Sequence, residues 1–329
     1  MIPGNDVILA GDIGGTNVRF GCLQRSLDGQ WNVRNFSKMQ CSDYPSFDVA
    51  LAQYIQGLEE CPRRAAFAAA GPVEQGHVKL TNTEWEISTT QLETRYGFET
   101  CALYNDFAGM TRSVVELGVE DFTILRAGRY FTNAPILVAG AGTGFGVGYL
   151  IPIKTSNSEP KWQVISTEGG RMAYSAQTEL EFALLQILLK THDVVSLELI
   201  SSGKNLAKVH KAMCEIHGVK YAPLSPDDIR EQARFGDPIC SDICKVRAVA
   251  AMGAIGDLAL SGGARGGIVI TGGVSERMIE HYMQVEAMNR YLHRGALSDY
   301  VKDIPMRLMT SPLAPLIGAA ALLRGDAGG

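Results

Sequence analysis

Apolar positions along the chain follow two periods, and the switches between them mark out its elements. Residues 7–23 read as an apolar run, a glycine turn carrying Asp12, and then an alternation of Val18, Phe20 and Cys22 against Arg19, Gly21 and Leu23. Asp28-Gly29 makes a hairpin turn before Trp31, Val33 and Phe36. Helical spacing takes over at 44–60, with Phe47, Leu51, Tyr54, Ile55 and Leu58 on one face, until Pro62. A short apolar strand at 65–70 runs into Gly71-Pro72, a hairpin turning at Gly76, and Leu80-Thr81-Asn82, ending at Trp85. A helix is predicted over 89–96, with Gly97 in the stop position. The strand at 101–104 delivers Asn105, Asp106 and Phe107 to a helical pattern over 108–117.

The second half repeats the theme. Residues 135–150 form another strand, glycine turn and alternating strand around Gly140, Gly142, Thr143 and Gly144, resembling the first turn but without an Asp. Residues 156–161 read as an exposed hairpin tip, and Val164-Ile165 leads to Glu168-Gly169-Gly170-Arg171. Thr178 and Glu181 form a capping box for an apolar helix through Leu189. Helical stretches follow at 197–209, broken at Ser201-Ser202-Gly203, then at 223–234 and 240–260, the last rich in Ala and Gly. A third strand reaches Gly272-Gly273 and enters a helix near Glu276, and a small-residue helix at 315–323 ends at Gly325. Strand, glycine turn and helix in repetition predict an α/β architecture with the turns facing a common cleft.

The glycines at 11, 14 and 15 let successive N–H groups close on an anion such as a phosphate chain. Asp12 beside them makes sense if a divalent cation lies between carboxylate and phosphate. A tight hairpin with an acidic tip is the plain alternative. Neither a dinucleotide fingerprint nor a Walker loop is present, since both open a helix and this turn opens a strand. Asp106 stands where open α/β sheets place ligands, and equally where a helix N-cap belongs.

Composition narrows the field without choosing a reaction. The 329 residues are enough for two domains. Hydrophobic content is 46% against 20% charged residues, as in ordinary globular proteins. A net charge of −5 without a dense Lys/Arg run argues against nucleic acid as a partner. No apolar stretch of helical character has membrane-spanning length and no signal-like N-terminus is seen, so no membrane partner and a cytoplasmic location are expected. Seven cysteines without C-x-x-C spacing read as reduced thiols. Cys240 and Cys244 share a helix face, but no His lies close by in sequence to complete a metal site.

Five separated motifs then occur in order: Gly11-Asp12-Ile13-Gly14-Gly15-Thr16-Asn17, Leu80-Thr81-Asn82, Asn105-Asp106-Phe107, Gly140-Ala141-Gly142-Thr143-Gly144 and Glu168-Gly169-Gly170. With Gly272-Gly273 and Pro315-Leu316-Ile317-Gly318, the chain resembles bacterial glucokinases of the hexokinase, Hsp70 and actin superfamily over nearly its whole length. The zinc-binding cysteine cluster of the related repressor and sugar-kinase family is absent. The resemblance implies a two-domain ribonuclease-H-like, actin-like ATPase fold with a central cleft. Its small domain would be residues 1–115 completed by about 305–329, and its large domain 116–304. It implies ATP-dependent phosphorylation of a hexose, glucose foremost, with Mg²⁺ and in a homodimer. Asp106 would be the general base and Asp12 would orient hydrated Mg²⁺. Gly11, Gly14, Gly15, Thr16, Asn17, Gly142, Thr143 and Gly144 would surround the phosphates, and Gly272 and Gly273 the adenosine. Asn82, Asn105, Glu168, Arg171 and Glu198 would line the sugar.

One position departs from the pattern. The family has a histidine directly after Glu-Gly-Gly, and here Arg171 stands there; the family's Ser-Gly-Pro-Gly is Ser202-Gly203-Lys204-Asn205. Arg cannot accept a hydrogen bond, so it does not replace imidazole. It pairs with Glu168 or Glu198, serves glucose weakly, or marks a modified or anionic sugar. A sugar-binding or nucleotide-binding pseudokinase is the competing non-enzyme reading.

Overall fold

Residues 7–80, 83–154 and 161–326 are described by the computed structural model. Asn82 and most of the tip at 156–161 lie outside the described residues. The first half contains β1 (Ile8–Ile13), β2 (Asn17–Arg25), β3 (Trp31–Gln40), α1 (Phe47–Gln56), β4 (Arg64–Ala69), β5 (His77–Lys79) and β6 (Glu86–Ser88). It continues with α2 (Thr89–Tyr96), β7 (Thr100–Asn105) and α3 (Asp106–Ser113). Then come β8 (Phe122–Arg126), β9 (Ile136–Ala141), β10 (Phe145–Ile153), β11 (Lys161–Thr167), α4 (Glu179–Leu189), α5 (Leu197–Ser201) and α6 (Leu206–Ile216). The rest is α7 (Pro226–Arg234), α8 (Pro238–Ser261), β12 (Gly267–Ile270), α9 (Gly273–Tyr282), α10 (Val285–Leu292), α11 (Ser298–Lys302), β13 (Met306–Met309) and α12 (Ala314–Asp326).

The chain divides into two units, Met1–Asp121 with Ser311–Gly329, and Phe122–Thr310. The C-terminal return therefore begins at 311 and not near 305, because Met306–Met309 pairs in parallel with β12 as a strand of the second unit.

In the first unit the sheet order is β3-β2-β1-β4-β7, with β1, β4 and β7 parallel and β2 and β3 folded back as a meander. Alternation along β1 sends Leu9 and Ile13 to a core with Phe20, Phe47, Phe67 and Trp85. Ile8 and Ala10 face the other way, onto Leu316, Ile317 and Ala320 of α12. The small residues of β4 admit close packing on that side. A side chain at Gly318 of α12 would run into the Gly109 carbonyl oxygen of α3, so the two helix backbones touch there. This contact fixes α3, whose first residue is Asp106.

The second unit holds a sheet in the order β11-β10-β9-β12-β13-β8. Its core joins Leu137, Ala139 and Ile270 to the long helix α8. The small residues predicted over 240–260 are there, with Ala248, Ala251 and Gly256 buried.

Several boundaries shift for local reasons. The helix predicted over 44–60 is shorter, because the Ser46 side chain caps it by accepting from the Val49 N–H. The helix at 108–117 begins at Asp106, because Asn105 is its N-cap. The stretch 197–209 breaks at the predicted Ser201-Ser202-Gly203, where extended Ser202 closes α5, but its second helix, α6, runs on to Ile216. The helix at 223–234 begins at Pro226, where Ser225 and Asp228 form a capping box. Thr178 does cap α4, but the Glu181 carboxylate binds the Thr178 hydroxyl, Gln177 N–H, Tyr174 and Arg290 in place of the Thr178 N–H. α12 runs through Gly325 to Asp326.

Candidate active site

In the first unit, β1, β4 and β7 end side by side. Asp12 pairs in register with Ala68, and Ala69 with Asn105, so Asp12 and Asp106 belong to one edge of the sheet, at the carboxyl ends of its parallel strands. Strand spacing puts β1 and β7, on either side of β4, roughly 10 Å apart.

The glycine turn closes the β1–β2 hairpin. Gly14 N–H donates to the Asn17 carbonyl at 3.0 Å, and Ala70 N–H to the Ile13 carbonyl at 3.0 Å, which ties the turn to the end of β4. The N–H groups of Gly15 and Thr16 have no acceptor among the described residues. A hollow beside them is walled by Ser42, Tyr44, Thr83, Glu84 and Trp85.

Asp12 is largely covered by the sheet, its side chain 16% exposed, with Arg19 as its cross-strand partner and an Nη1 to Oδ2 distance of 2.8 Å. Burial pushes the Asp12 carboxyl above its ordinary range, and the Arg19 charge and hydrogen bond oppose this without cancelling it. A largely covered carboxylate with one cation is short of positive charge, so Asp12 fits a hard divalent ion. No group of three or more His, Cys, Asp or Glu that could hold a metal occurs among the described residues.

The alternatives at Asp106 separate. The N-cap is Asn105, whose Oδ1 accepts from Phe107 N–H at 3.0 Å and Ala108 N–H at 3.3 Å. Asp106 follows in the first turn, where its Oδ1 accepts from Phe107 N–H at 2.8 Å. Asn105 is committed further, because its Nδ2 donates to the Gly71 carbonyl at 3.2 Å. One amide proton of Asn105 remains for a ligand.

In the second unit, Gly142, Thr143 and Gly144 form the turn between β9 and β10, braced by a bond from Gly142 N–H to the Gly144 carbonyl at 2.8 Å. A Cβ at Gly140 would collide with the Thr271 carbonyl oxygen, so β9 and the end of β12 are in backbone contact. Gly272, at φ 94°, caps α9, and the buried Ser275 hydroxyl accepts from Ala141 N–H at 2.8 Å. Gly272 thus lies against the start of the β9 turn, where a Cβ would meet the Ala141 carbonyl oxygen.

Of the sugar-side residues predicted in this unit, Arg171 meets Glu198 and Glu168 does not. The Glu198 Oε2 accepts from Phe145 N–H at 3.1 Å, directly after the glycine turn. Its Oε1 lies 2.7 Å from Lys204 Nζ and 3.5 Å from Arg171 Nη1. Burial alone would raise the Glu198 pKa, but the Lys204 ammonium, the Phe145 N–H and the Arg171 charge bring it below the ordinary value. Arg171 therefore pairs with Glu198, one of the expected arrangements. Glu168 is exposed and linked to Arg171 through its backbone, its carbonyl accepting from Arg171 N–H at 2.8 Å.

Arg19 and Lys204 were not among the predicted site residues. Arg19 stands as far after the centre of the turn as Asp12 stands before it, so the closed hairpin would have revealed the pair. Lys204 gave only the departure from Ser-Gly-Pro-Gly; the chain reversal after α5 brings it to Glu198, and no periodicity encodes that.

Comparison with known proteins agrees over the same span. The family model Glucokinase matches residues 9–326. The chain is 34% identical to a glucokinase of Caulobacter sp. (strain K31), over 97% of this chain and 95% of the other. It is 31% identical to one of Hahella chejuensis, over 97% of both. The crystal structure of a glucokinase from an Antarctic psychrotroph superposes with a TM-score of 0.84 at 33% identity, covering 97% of this chain and 99% of that one. With its two α/β units the chain has the actin-like ATPase fold, and it belongs to the glucokinase family.

Proposed function

We propose that the protein transfers the terminal phosphoryl group of ATP to the 6-hydroxyl of a hexose, glucose foremost, with Asp106 as general base. The observation that carries this reading is the pair of carboxylates, Asp12 and Asp106, on one edge of the first sheet. Asp106 accepts the hydroxyl proton, which requires hydrogen-bond reach of the sugar, while α12 and Asn105 hold the start of α3 in place. Asp12 holds Mg²⁺, with Arg19 keeping its carboxylate in one orientation. Bound Mg²⁺-ATP supplies the phosphoryl group and the charge that offsets its oxygens. N–H groups of Gly15 and Thr16, and of the turn at 142–144, hold the phosphates, with Gly11, Gly14 and Asn17 shaping the first turn. Gly272 and Gly273 border the adenosine, and Asn82, Asn105, Glu168, Arg171 and Glu198 take the sugar hydroxyls. A cytoplasmic homodimer is part of the same reading. Among the described residues no helix is long and apolar enough to cross a membrane.

A second reading, a kinase for an anionic hexose derivative, is favoured by one observation: two cations share the single carboxylate of Glu198. An ADP-release assay with Mg²⁺-ATP across neutral, amino and acidic sugars tests both. Turnover highest with glucose is expected. Preference for an acidic sugar would favour the second reading, and ATP binding without turnover on any sugar would leave a pseudokinase.

A further inference from the structure

We propose that Lys204 couples sugar binding to nucleotide binding within the second unit, by moving between the Glu198 carboxylate and the phosphates at the turn 142–144. The inference rests on the substrate reading above.

The backbone around Lys204 is tied to that turn. Gly203 N–H donates to the Gly142 carbonyl at 2.9 Å and Lys204 N–H to the Thr143 carbonyl at 3.4 Å. The loop is also held from behind, where Arg247 donates to the carbonyls of Ile200, Ser201 and Ser202 at 3.3, 2.9 and 3.2 Å. Asn205 Nδ2 binds the Glu198 carbonyl at 3.3 Å and the Ser202 hydroxyl at 3.0 Å. The Lys204 side chain is the loose part, 43% exposed, with its ammonium on Glu198.

Glu198 touches the same turn from the other side. Its Oε2 takes the Phe145 N–H, and a Cβ on Gly144 would approach that oxygen to 2.6 Å. One carboxylate thus contacts the phosphate turn through one oxygen and two cations through the other.

A neutral sugar hydroxyl that donates to Oε1, which accepts no hydrogen bond from the described residues, competes with the two ion pairs that this oxygen makes. Lys204 is the closer competitor, at 2.7 Å against 3.5 Å for Arg171. Once displaced it cannot go far, because its backbone stays on the Thr143 carbonyl; its flexible stem leaves the ammonium beside the turn, where the other available anion is the nucleotide. Sugar thereby strengthens nucleotide binding, and by linkage nucleotide strengthens sugar binding by the same factor.

The test is calorimetric titration of the full chain with a non-hydrolysable ATP analogue and Mg²⁺, with and without saturating glucose, and the reverse titration. In the unsubstituted protein glucose should tighten nucleotide binding by about tenfold, within the usual range of coupling factors. Lys204→Met should bring the factor to about twofold or less while binding glucose alone at least as tightly, because a competitor has gone. Lys204→Arg, which keeps the charge, should retain part of the coupling. Unchanged coupling in Lys204→Met, a factor of one in the unsubstituted protein, or weakened binding of glucose alone in Lys204→Met would each overturn the proposal. Failure of the unsubstituted protein to bind glucose at all would count against glucose as substrate, a separate outcome read before any ratio is taken.

Discussion

The turn after β1 and the turn after β9 share one form, a strand, glycines and an antiparallel strand, but the carboxylate beside each is held differently. Asp12 has one cation, Arg19, and burial wins, so its pKa lies above the ordinary value. Glu198 has Lys204, Arg171 and the Phe145 N–H, and the donors win, so its pKa lies below it. Burial opposes ionisation of both, outweighing the single Arg19 partner at Asp12 and being outweighed by the donors at Glu198. A carboxylate short of donors is suited to receive a cation. One with a surplus of donors is suited to exchange one of them for a sugar hydroxyl.

The largest effect is expected outside both turns. Asp106→Ala should lower kcat by about 10³-fold, within the range for loss of a general base, with glucose affinity within a few-fold of the parent. Activity within tenfold of the parent would remove Asp106 from its role and leave Asp12 as the only acidic group of the sheet edge with an assignment.

Next come the glycines of the second turn. Gly140→Ala forces a Cβ into the Thr271 carbonyl and should destabilise the fold by about 3 kcal/mol, whereas Gly142→Ala meets nothing within 4 Å. Thermal unfolding should separate the two. Loss of nucleotide affinity in a normally folded Gly142→Ala would tie that turn to phosphate.

A smaller effect is expected at the first turn. Asp12→Asn should raise the Mg²⁺ concentration needed for half-maximal activity by about tenfold, the factor that 1.4 kcal/mol represents. With the Asp12 pKa raised, the carboxyl stays protonated to a higher pH than an ordinary Asp. Apparent Mg²⁺ affinity should therefore rise as pH climbs through that pKa, and lose this dependence in Asp12→Asn. An unchanged Mg²⁺ requirement would leave Asp12 and Arg19 as a structural pair.

Much of this arrangement was legible in the sequence, for physical reasons. Strands with glycine turns announce themselves through period and backbone chemistry, so the turns at 14–16 and 142–144 and the strand leading to Asp106 could be placed from the chain alone. Helix starts moved wherever a polar cap overruled the apolar period, as at Ser46 and Asn105. The partners of the carboxylates were harder. Arg19 follows from hairpin register, a local quantity, but Lys204 reaches Glu198 because α5 stops at Ser201 and the chain turns back on the β9 turn. The return of the chain at 311 depends on β13 joining a sheet whose other strands lie far away in sequence.

The difference between the turns can be measured directly by carboxyl-carbon NMR of ligand-free protein, titrating Asp12 and Glu198 in one sample. Asp12 should titrate above its ordinary 3.8 and Glu198 below its ordinary 4.5. The sign at Glu198 also means that its contribution to stability is present above 4.5 and is lost as pH falls through the lower folded value. Asp12 at or below 3.8, or Glu198 at or above 4.5, would contradict the assignment of one turn to a metal and the other to an exchange of partners.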